Sequence, residues 1–569
     1  MGLLSRASPL LLGTVVLRWR NGVVVSAMTL AEFPSYCSKD MSAMQLPSLL
    51  DSFKSSFDIG EVSEDDVELL QVHALIRHGA RTPWTTPECW QGYDTRWNCN
   101  VTEIVSPSLS PYDGGVSENG LFRKVYDASP EDNILQGTCK EGQLLEEGFK
   151  QEVANGRFLR EAYVCDGTLC LFANSSAADL QNSGALYLRS DDGQRTVMSG
   201  QILTAEMLNV SGVVLDWHTN DAALDYIAPN YRACPRLTEL YEEALNAPEW
   251  IKVMTSPSVK MLNESLVEMW GGEVVWGDVL DCLMTTACTG NDLPEGMTQD
   301  IFDSAVEYAT RKKIQVSSYN DAAYGKLGMA KLTAEIRERM YGAINGTSPL
   351  KFVLISGHDT TFLAFLSAVA PGAWDEVFPP YASLSTIELL RVGGEEGVAG
   401  DYFRFVYNGQ VLRLKGCDQD ICAIDAFMNA TQFALDFESD HCCCRNMNQT
   451  EVDPADDKDK DQRGISSDNS TSWASSSAAS LAPATLNTTP APGADASGIE
   501  TRPSSSENSG LVTSGVDRSS DSSGGSSVLG IALVCFIIGS VVGGVPAFMY
   551  FRSFRYETLR TDRHSYEMT

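Results

Sequence analysis

The sequence predicts an α/β fold with a mostly parallel central sheet, helices on both faces and a mainly helical cap subdomain. Beyond it the sequence predicts a disordered stalk and one transmembrane helix. Three observations lead there. Short apolar runs alternate with helical stretches on both sides of a long helical insertion. That insertion, about 221–345, has no dense strand signal. The composition also changes abruptly after residue 445, where large apolar residues nearly vanish.

Residues 67–76 (VELLQVHALI) form an apolar run bounded by charges and read as a buried strand. An amphipathic helix is expected over 141–164, a brief strand over 185–188 and a helix over 195–208. Residues 352–355 (FVLI) read as a second buried strand, with a helix from about Thr360. Residues 385–392, 402–407 and 411–414 look like a closing β meander. Strands alternating with helices imply a parallel sheet covered on both faces. The folded domain is therefore placed at about 60–445.

The chain has 569 residues and a formal net charge of −33. Such acidity argues against broad nucleic-acid binding, which needs Lys and Arg against phosphate backbones. It leaves room for a small basic pocket. Of 15 cysteines, 14 precede residue 445, without the repeated spacing of a zinc site. Nine N-x-S/T sequons begin at Asn100, Asn174, Asn209, Asn263, Asn345, Asn429, Asn448, Asn469 and Asn487. Together they favour the secretory route.

Residues 1–31 are read as a signal sequence, with basic Arg18 and Arg20 ahead of an apolar run and Ala31 near a cleavage point. Residues 446–527 are rich in Ser, Thr, Pro, Asp and Gly and read as a disordered, glycosylated stalk. Residues 528–551 hold 24 positions without a charge, enough to span a bilayer. Arg552, Arg555, Arg560 and Arg563 follow at once, which puts the tail (552–569) in the cytosol and the bulk outside or in a lumen.

The chemistry is concentrated at strand ends, where α/β sheets bind ligands. Arg77-His78-Gly79-Ala80-Arg81-Thr82-Pro83 follows the first strand. Guanidinium groups match phosphate oxygens bidentately, and Gly79 allows a tight backbone turn beside a ligand. Ser356-Gly357-His358-Asp359-Thr360-Thr361 follows the FVLI strand, and Asp359 by itself could be a helix cap. Arg189-Ser190-Asp191-Asp192-Gly193-Gln194-Arg195-Thr196 is again strand, turn and helix. His73 is read as a core histidine, and His218, His441 and His564 have no motif around them.

These motifs resemble the histidine acid phosphatases, a branch of the phosphoglycerate-mutase-like histidine phosphatases. R-H-G-x-R-x-P stands at Arg77 to Pro83, R-S-x-D-x-x-R-T at Arg189 to Thr196, and the H-D pair at His358 and Asp359. The likeness covers roughly 67–440. It implies a phosphomonoesterase in which His78 is the nucleophile and Asp359 the proton donor. Arg77, Arg81, Arg189 and His358 would bind the phosphoryl oxygens, with Arg195 a structural partner of its turn. No metal or other cofactor is implied. The resemblance also implies a disulfide between Cys417 and Cys422.

A longer segment between Arg81 and Gly142 gives some likeness to the Golgi xylosyl-phosphate phosphatases. A glycan phosphatase is therefore the alternative enzyme, and a catalytically inactive surface glycoprotein the non-enzyme alternative. H-D in place of H-A-E ranks inositol-polyphosphate phosphatase activity lower. The expected partners are a small-molecule or glycan phosphate monoester, the membrane through the one transmembrane helix, and a second copy in a homodimer. A sorting adaptor reading Tyr556-Glu557-Thr558-Leu559 completes the set. The expected setting is a single-pass type I protein of the secretory or endolysosomal system or the cell surface, with its catalytic domain lumenal or extracellular.

Overall fold

The computed structural model describes most of residues 66–435, apart from 85–88, 103, 106–121, 125–134, 174, 209, 211–212 and 394–398. It also describes 17–20, 23–26, 37, 49–56 and 442. The expected stalk, transmembrane segment and tail lie outside the described residues, as does most of the expected signal sequence. Within that last segment, Leu17–Arg20 pairs antiparallel with Val23–Ser26. Among the described residues, no helix is long and apolar enough to cross a membrane.

The main sheet is built from β1 (Val67–Arg77), β2 (Leu186–Ser190), β3 (Trp217–His218) and β4 (Phe352–Gly357). To these it adds β5 (Leu384–Val392), β6 (Gly400–Tyr407), β7 (Gln410–Val411) and β8 (Cys422–Ala423). The strand order is β7-β6-β5-β1-β4-β2-β3, with β8 beside β6. β1, β4, β2 and β3 run parallel. β5 joins β1 antiparallel, and β6, β7 and β8 continue antiparallel. The sheet is thus mixed rather than mostly parallel. Short connections close the carboxyl-terminal meander, and such connections can only reverse a strand.

Helices cover both faces because the strands are apolar on both. On β4, Phe352 and Leu354 enter one core, with β1 residues Val72, Ala74 and Ile76. That core is closed by α1 (Glu146–Tyr163) and α2 (Gln194–Leu208), through Leu159, Tyr163, Leu203 and Met207. Val353 and Ile355 enter the other core, with Leu75, Ile387 and Leu389. The period-two alternation of a strand sorts neighbouring residues between the two layers.

The cap holds α3 (Arg236–Leu245), α4 (Pro248–Met254), α5 (Pro257–Trp270), α6 (Trp276–Cys288) and α7 (Gln299–Ile344). α7 is broken near its middle. Tyr319 is extended, and Asn320, Asp321 and Ala322 take left-handed conformations (φ 52°, 57° and 55°). Asn and Asp tolerate that region better than other non-glycine residues. The later half of α7 packs on α8 (Asp359–Val369), which opens at the end of β4.

Among the described residues, six disulfides fasten the domain: Cys37–Cys288, Cys89–Cys282, Cys99–Cys139, Cys165–Cys170, Cys234–Cys442 and Cys417–Cys422. Two of them end on α6. Such a set belongs to an oxidising compartment, lumenal or extracellular. Of the sequon asparagines within the described residues, Asn100, Asn345 and Asn429 are exposed and Asn263 is half-buried. Asn174, Asn209, Asn448, Asn469 and Asn487 fall outside them.

Candidate active site

Register brings the motifs together. Arg77 at the end of β1 pairs with Gly357 at the end of β4, and Ser190 of β2 pairs with Ser356. The chain leaves all three strands at the same edge. The His78 N–H donates to Gly357 O at 2.9 Å, which ties the first motif to the H-D pair. Gly79 is needed for a different reason than a turn beside a ligand. A Cβ there would lie 2.5 Å from the carbonyl oxygen of Gly148, so α1 could not approach.

The cavity at this edge encloses about 730 Å³, its open mouth included. His78, Arg77, Arg81, Arg195, His358 and Asp359 all line it. His78 is buried, and its Nδ1 lies 2.9 Å from Gly79 O. A carbonyl oxygen only accepts, so Nδ1 carries the proton and donates it. The lone pair is left on Nε2. Burial, then the charges of Arg195, Arg77, Arg81 and His358, push the His78 pKa well below the ordinary histidine value. The folded site therefore favours the neutral imidazole.

Three guanidiniums surround it. Arg77 Nη1 donates to Pro379 O at 2.5 Å, and its guanidinium lies 4.2 Å from the Tyr381 ring centre. Arg81 pairs with Asp281 of α6 at 2.8 Å and donates to Thr82 O. Arg195, in the first turn of α2, rests 4.4 Å over the Trp84 ring and approaches His358 Nδ1 at 3.3 Å. Burial, then the like charge of Arg81, lowers its pKa to about 10. Arg77, Arg81 and Arg195 each keep a buried Nε–H with no hydrogen-bond partner. Unmet buried donors are costly. Three of them around one cavity fit an anion that accepts from several sides, as a phosphoryl group does.

Arg189, expected among the phosphate ligands, is not at this cavity. It lies inside β2, a residue short of the strand end, opposite Ile355. Its guanidinium pairs with Asp225 at 3.2 Å, donates to the Tyr226 hydroxyl and stacks on that ring at 4.0 Å. Arg195, expected to be a structural partner of its turn, lines the cavity instead. The R-S-x-D-x-x-R-T motif offers two arginines, and only the later one lies beyond the strand, where a side chain can reach the edge.

His358 caps α8 and is held from both sides. Its Nε2 lies 2.7 Å from Asp191 Oδ2, and the Thr361 hydroxyl accepts from its backbone N–H at 3.0 Å. Burial works against the Asp191 charge. His358, Arg195 and Thr196 outweigh it and hold the carboxyl well below the usual range. Asp359 opens α8, where the helix dipole favours a carboxylate. Burial opposes its charge too, but Lys313, Arg77, Arg81 and His358 hold it far below the ordinary value. Lys313 of α7 lies 3.7 Å from Asp359 Oδ2. Without substrate, Asp359 is ionised.

The sequence reading passed over several of these residues. Trp84, Asp281, Lys313 and Tyr381 line the cavity. None belongs to a motif repeated in the chain, and Asp281 and Lys313 arrive on cap helices. His73 is fully buried on β1, bonded to Gln71 at 2.7 Å, and desolvation lowers its pKa to about 3.

Comparison with known proteins decides the family. The model of the histidine phosphatase superfamily (branch 2) matches residues 68–408. This chain belongs to that family. It is 31% identical to Counting factor 60 of Dictyostelium discoideum, over 66% of this chain and 88% of that one. It is 23% identical to lysophosphatidic acid phosphatase type 6 of Bos taurus, over 67% and 87% of the two chains. Lysosomal acid phosphatase of Bos taurus is 27% identical, over 54% and 74%. The histidine phosphatase is an enzyme that hydrolyses phosphomonoesters.

Proposed function

We propose that His78 is the nucleophile of this phosphatase, Asp359 its proton donor, and Arg77, Arg81, Arg195 and His358 its phosphoryl clamp. The neutral His78 carries the proposal, with its proton on Nδ1 and its lone pair on Nε2. In the first step, Nε2 attacks phosphorus and the P–O bond to the alcohol breaks. The leaving oxygen takes its proton from Asp359. In the second step, water attacks the phosphohistidine and the N–P bond breaks. Asp359 recovers a proton from that water, and inorganic phosphate leaves. Splitting the displacement spares the enzyme from aiming water at an intact ester. The guanidiniums stabilise charge on the transferred group, which is where most of the barrier lies.

An ionised Asp359 needs a source for the proton it donates. A phosphomonoester has its second pKa near ~6. Below that, the substrate enters as a monoanion carrying a proton. Among the fixed cations the dianion is favoured, so the proton passes to the adjacent carboxylate. The bound dianion in turn raises the Asp359 pKa, since like charge disfavours the carboxylate. Activity then belongs to the acid side of neutrality without any carboxyl being protonated in the free enzyme.

The domain is further proposed to work in a lumen or outside the cell, tethered by the apolar run at 528–551 with the tail in the cytosol. The six disulfides and the basic residues after that run support this reading. The deciding experiment for the nucleophile is acid-quench trapping with labelled phosphomonoester. The native chain should retain label on protein, and His78→Ala should retain none. Equal labelling of both would assign the covalent step to another residue.

A further inference from the structure

A second cavity of about 590 Å³, open mouth included, adjoins the catalytic one. The two share Gly277, Lys313 and Thr360 in their walls. The remaining wall of the second is largely apolar: Tyr241, Trp276, Ala309, Val316, Tyr324 and Leu363. Val316 lies before the break in α7 and Tyr324 after it, so the left-handed turn at Asn320–Ala322 brings both halves of the helix to one cavity.

The side on which this cavity opens matters. Thr360 follows Asp359 in α8, and Lys313 is the residue paired with Asp359. The shared wall is therefore the proton donor's side, while Arg195 lines the catalytic cavity and not the apolar one. A proton donor must stand within hydrogen-bond reach of the leaving oxygen. Whatever alcohol leaves, its oxygen is at Asp359 and its carbon skeleton continues from there. Gly277 has no side chain to close the way at the shared wall.

We infer that the apolar cavity is the leaving-group subsite, and that this enzyme prefers phosphomonoesters of alcohols bearing an apolar chain. The inference rests on the assignment of Asp359 as proton donor. Lys313 at the junction places positive charge between the phosphoryl site and the apolar wall, while Lys312 lines only the second cavity, 5.7 Å from the Tyr241 ring. An amphiphile with its anionic head at His78 and its chain against Trp276, Val316 and Leu363 matches both halves. A sugar or polyol would leave its hydroxyls unmet against those residues, which is costly.

The test is a chain-length series of primary alkyl phosphates, ethyl to octyl, each below its micelle concentration. The leaving alcohols differ little in acidity, so chain burial is the variable. With the native chain, kcat/KM should rise about two- to fourfold per methylene over the first few carbons, from the transfer free energy of a buried methylene. Ser317 of α7 also lines this cavity, so Trp276→Ala and, separately, Ser317→Phe, which fills it, should collapse the octyl-to-ethyl ratio. Hydrolysis at a rate indifferent to chain length overturns the subsite and leaves the phosphatase reading standing. No hydrolysis of any ester overturns the phosphatase reading beneath it.

Discussion

Arg195 Nη2 stands 3.3 Å from His358 Nδ1, while the opposite ring nitrogen of His358 is 2.7 Å from Asp191. The imidazole is fixed in orientation by a cation on one edge and a carboxylate on the other. A carboxylate only accepts, so Nε2 carries a proton and donates it to Asp191. Arg189, in the same motif, is engaged with Asp225 and Tyr226 instead. The two arginines should therefore fail differently. Arg195→Ala is expected to lower kcat/KM by roughly 10²–10³, the scale for losing one preorganised charge donor, and to weaken inhibition by inorganic phosphate. Arg189→Ala should lower the melting temperature, because Asp225 is left buried without its partner. Steady-state kinetics and thermal melts on both variants check the assignment. A reversed pattern would restore Arg189 to the phosphate site.

Asp281 is a positioning residue for Arg81. It pairs with the guanidinium at 2.8 Å and accepts from the Trp84 backbone N–H at 2.6 Å. Its neighbour Cys282 is bonded to Cys89, so the Trp84 loop and α6 are fastened beside the pair. Asp281→Asn is expected to cost about 10- to 100-fold in kcat/KM, the scale of a misplaced catalytic group. Phosphate inhibition should weaken in parallel, and Asp281→Glu should recover part of both. If only the melting temperature moves, Asp281 is structural and Arg81 is held without it.

His73 makes a separate prediction about stability. Its folded pKa is about 3, lowered by burial and then by Arg339, against an ordinary value of 6.5. Between those values the unfolded chain binds a proton that the folded one excludes. Stability then rises with pH in that window and falls as the solution is acidified, by up to about 1.4 kcal/mol per pH unit for one proton. His78 is depressed in the same direction. His73→Asn removes one of the two groups. Its melting temperature should be lower than native at pH 7, and its further drop between pH 7 and pH 4 should be smaller. A drop equal to the native one would place the acid sensitivity elsewhere.

Much of the fold was legible because β1 and β4 are continuous apolar runs, a pattern that strands buried on both faces produce. The meander was legible too, but the strand its first member joins was not, and the sheet is mixed because β5 pairs antiparallel with β1. The site was legible where residues follow a strand in sequence, as His78, Arg81, His358 and Asp359 do. Arg189 and Arg195 could not be ordered by spacing alone. Which of them reaches the edge depends on where β2 ends, and strand ends are the least certain part of a pattern. Lys313, Asp281 and Tyr381 come from distant elements and meet the motifs only through packing.

The last prediction concerns the proton. Asp359 is ionised in the free enzyme, held there by Lys313 at 3.7 Å and by Arg77 and Arg81. If the proton it donates enters on the substrate monoanion, the basic limb of kcat/KM should follow the substrate's own second pKa, near ~6 for an alkyl phosphate. An ester whose phosphate is more acidic should lose activity at correspondingly lower pH. Lys313→Met takes away the nearest cation and raises the Asp359 pKa. The variant should hold the proton more readily and transfer it less readily, so kcat on alkyl phosphates falls while nitrophenyl phosphate is affected less. Asp359→Asn, which cannot donate in the same way, should show the stronger form of that split. It should slow alkyl esters by roughly 10²–10⁴, the usual contribution of a general acid, and nitrophenyl phosphate far less, since nitrophenolate departs without a proton. The measurements are pH profiles on two esters of different phosphate pKa, and the alkyl-to-nitrophenyl rate ratio in native, Lys313→Met and Asp359→Asn enzymes. Equal slowing of both substrate types by Asp359→Asn would make the residue a helix cap, and the proton would have to come from another group in the cavity.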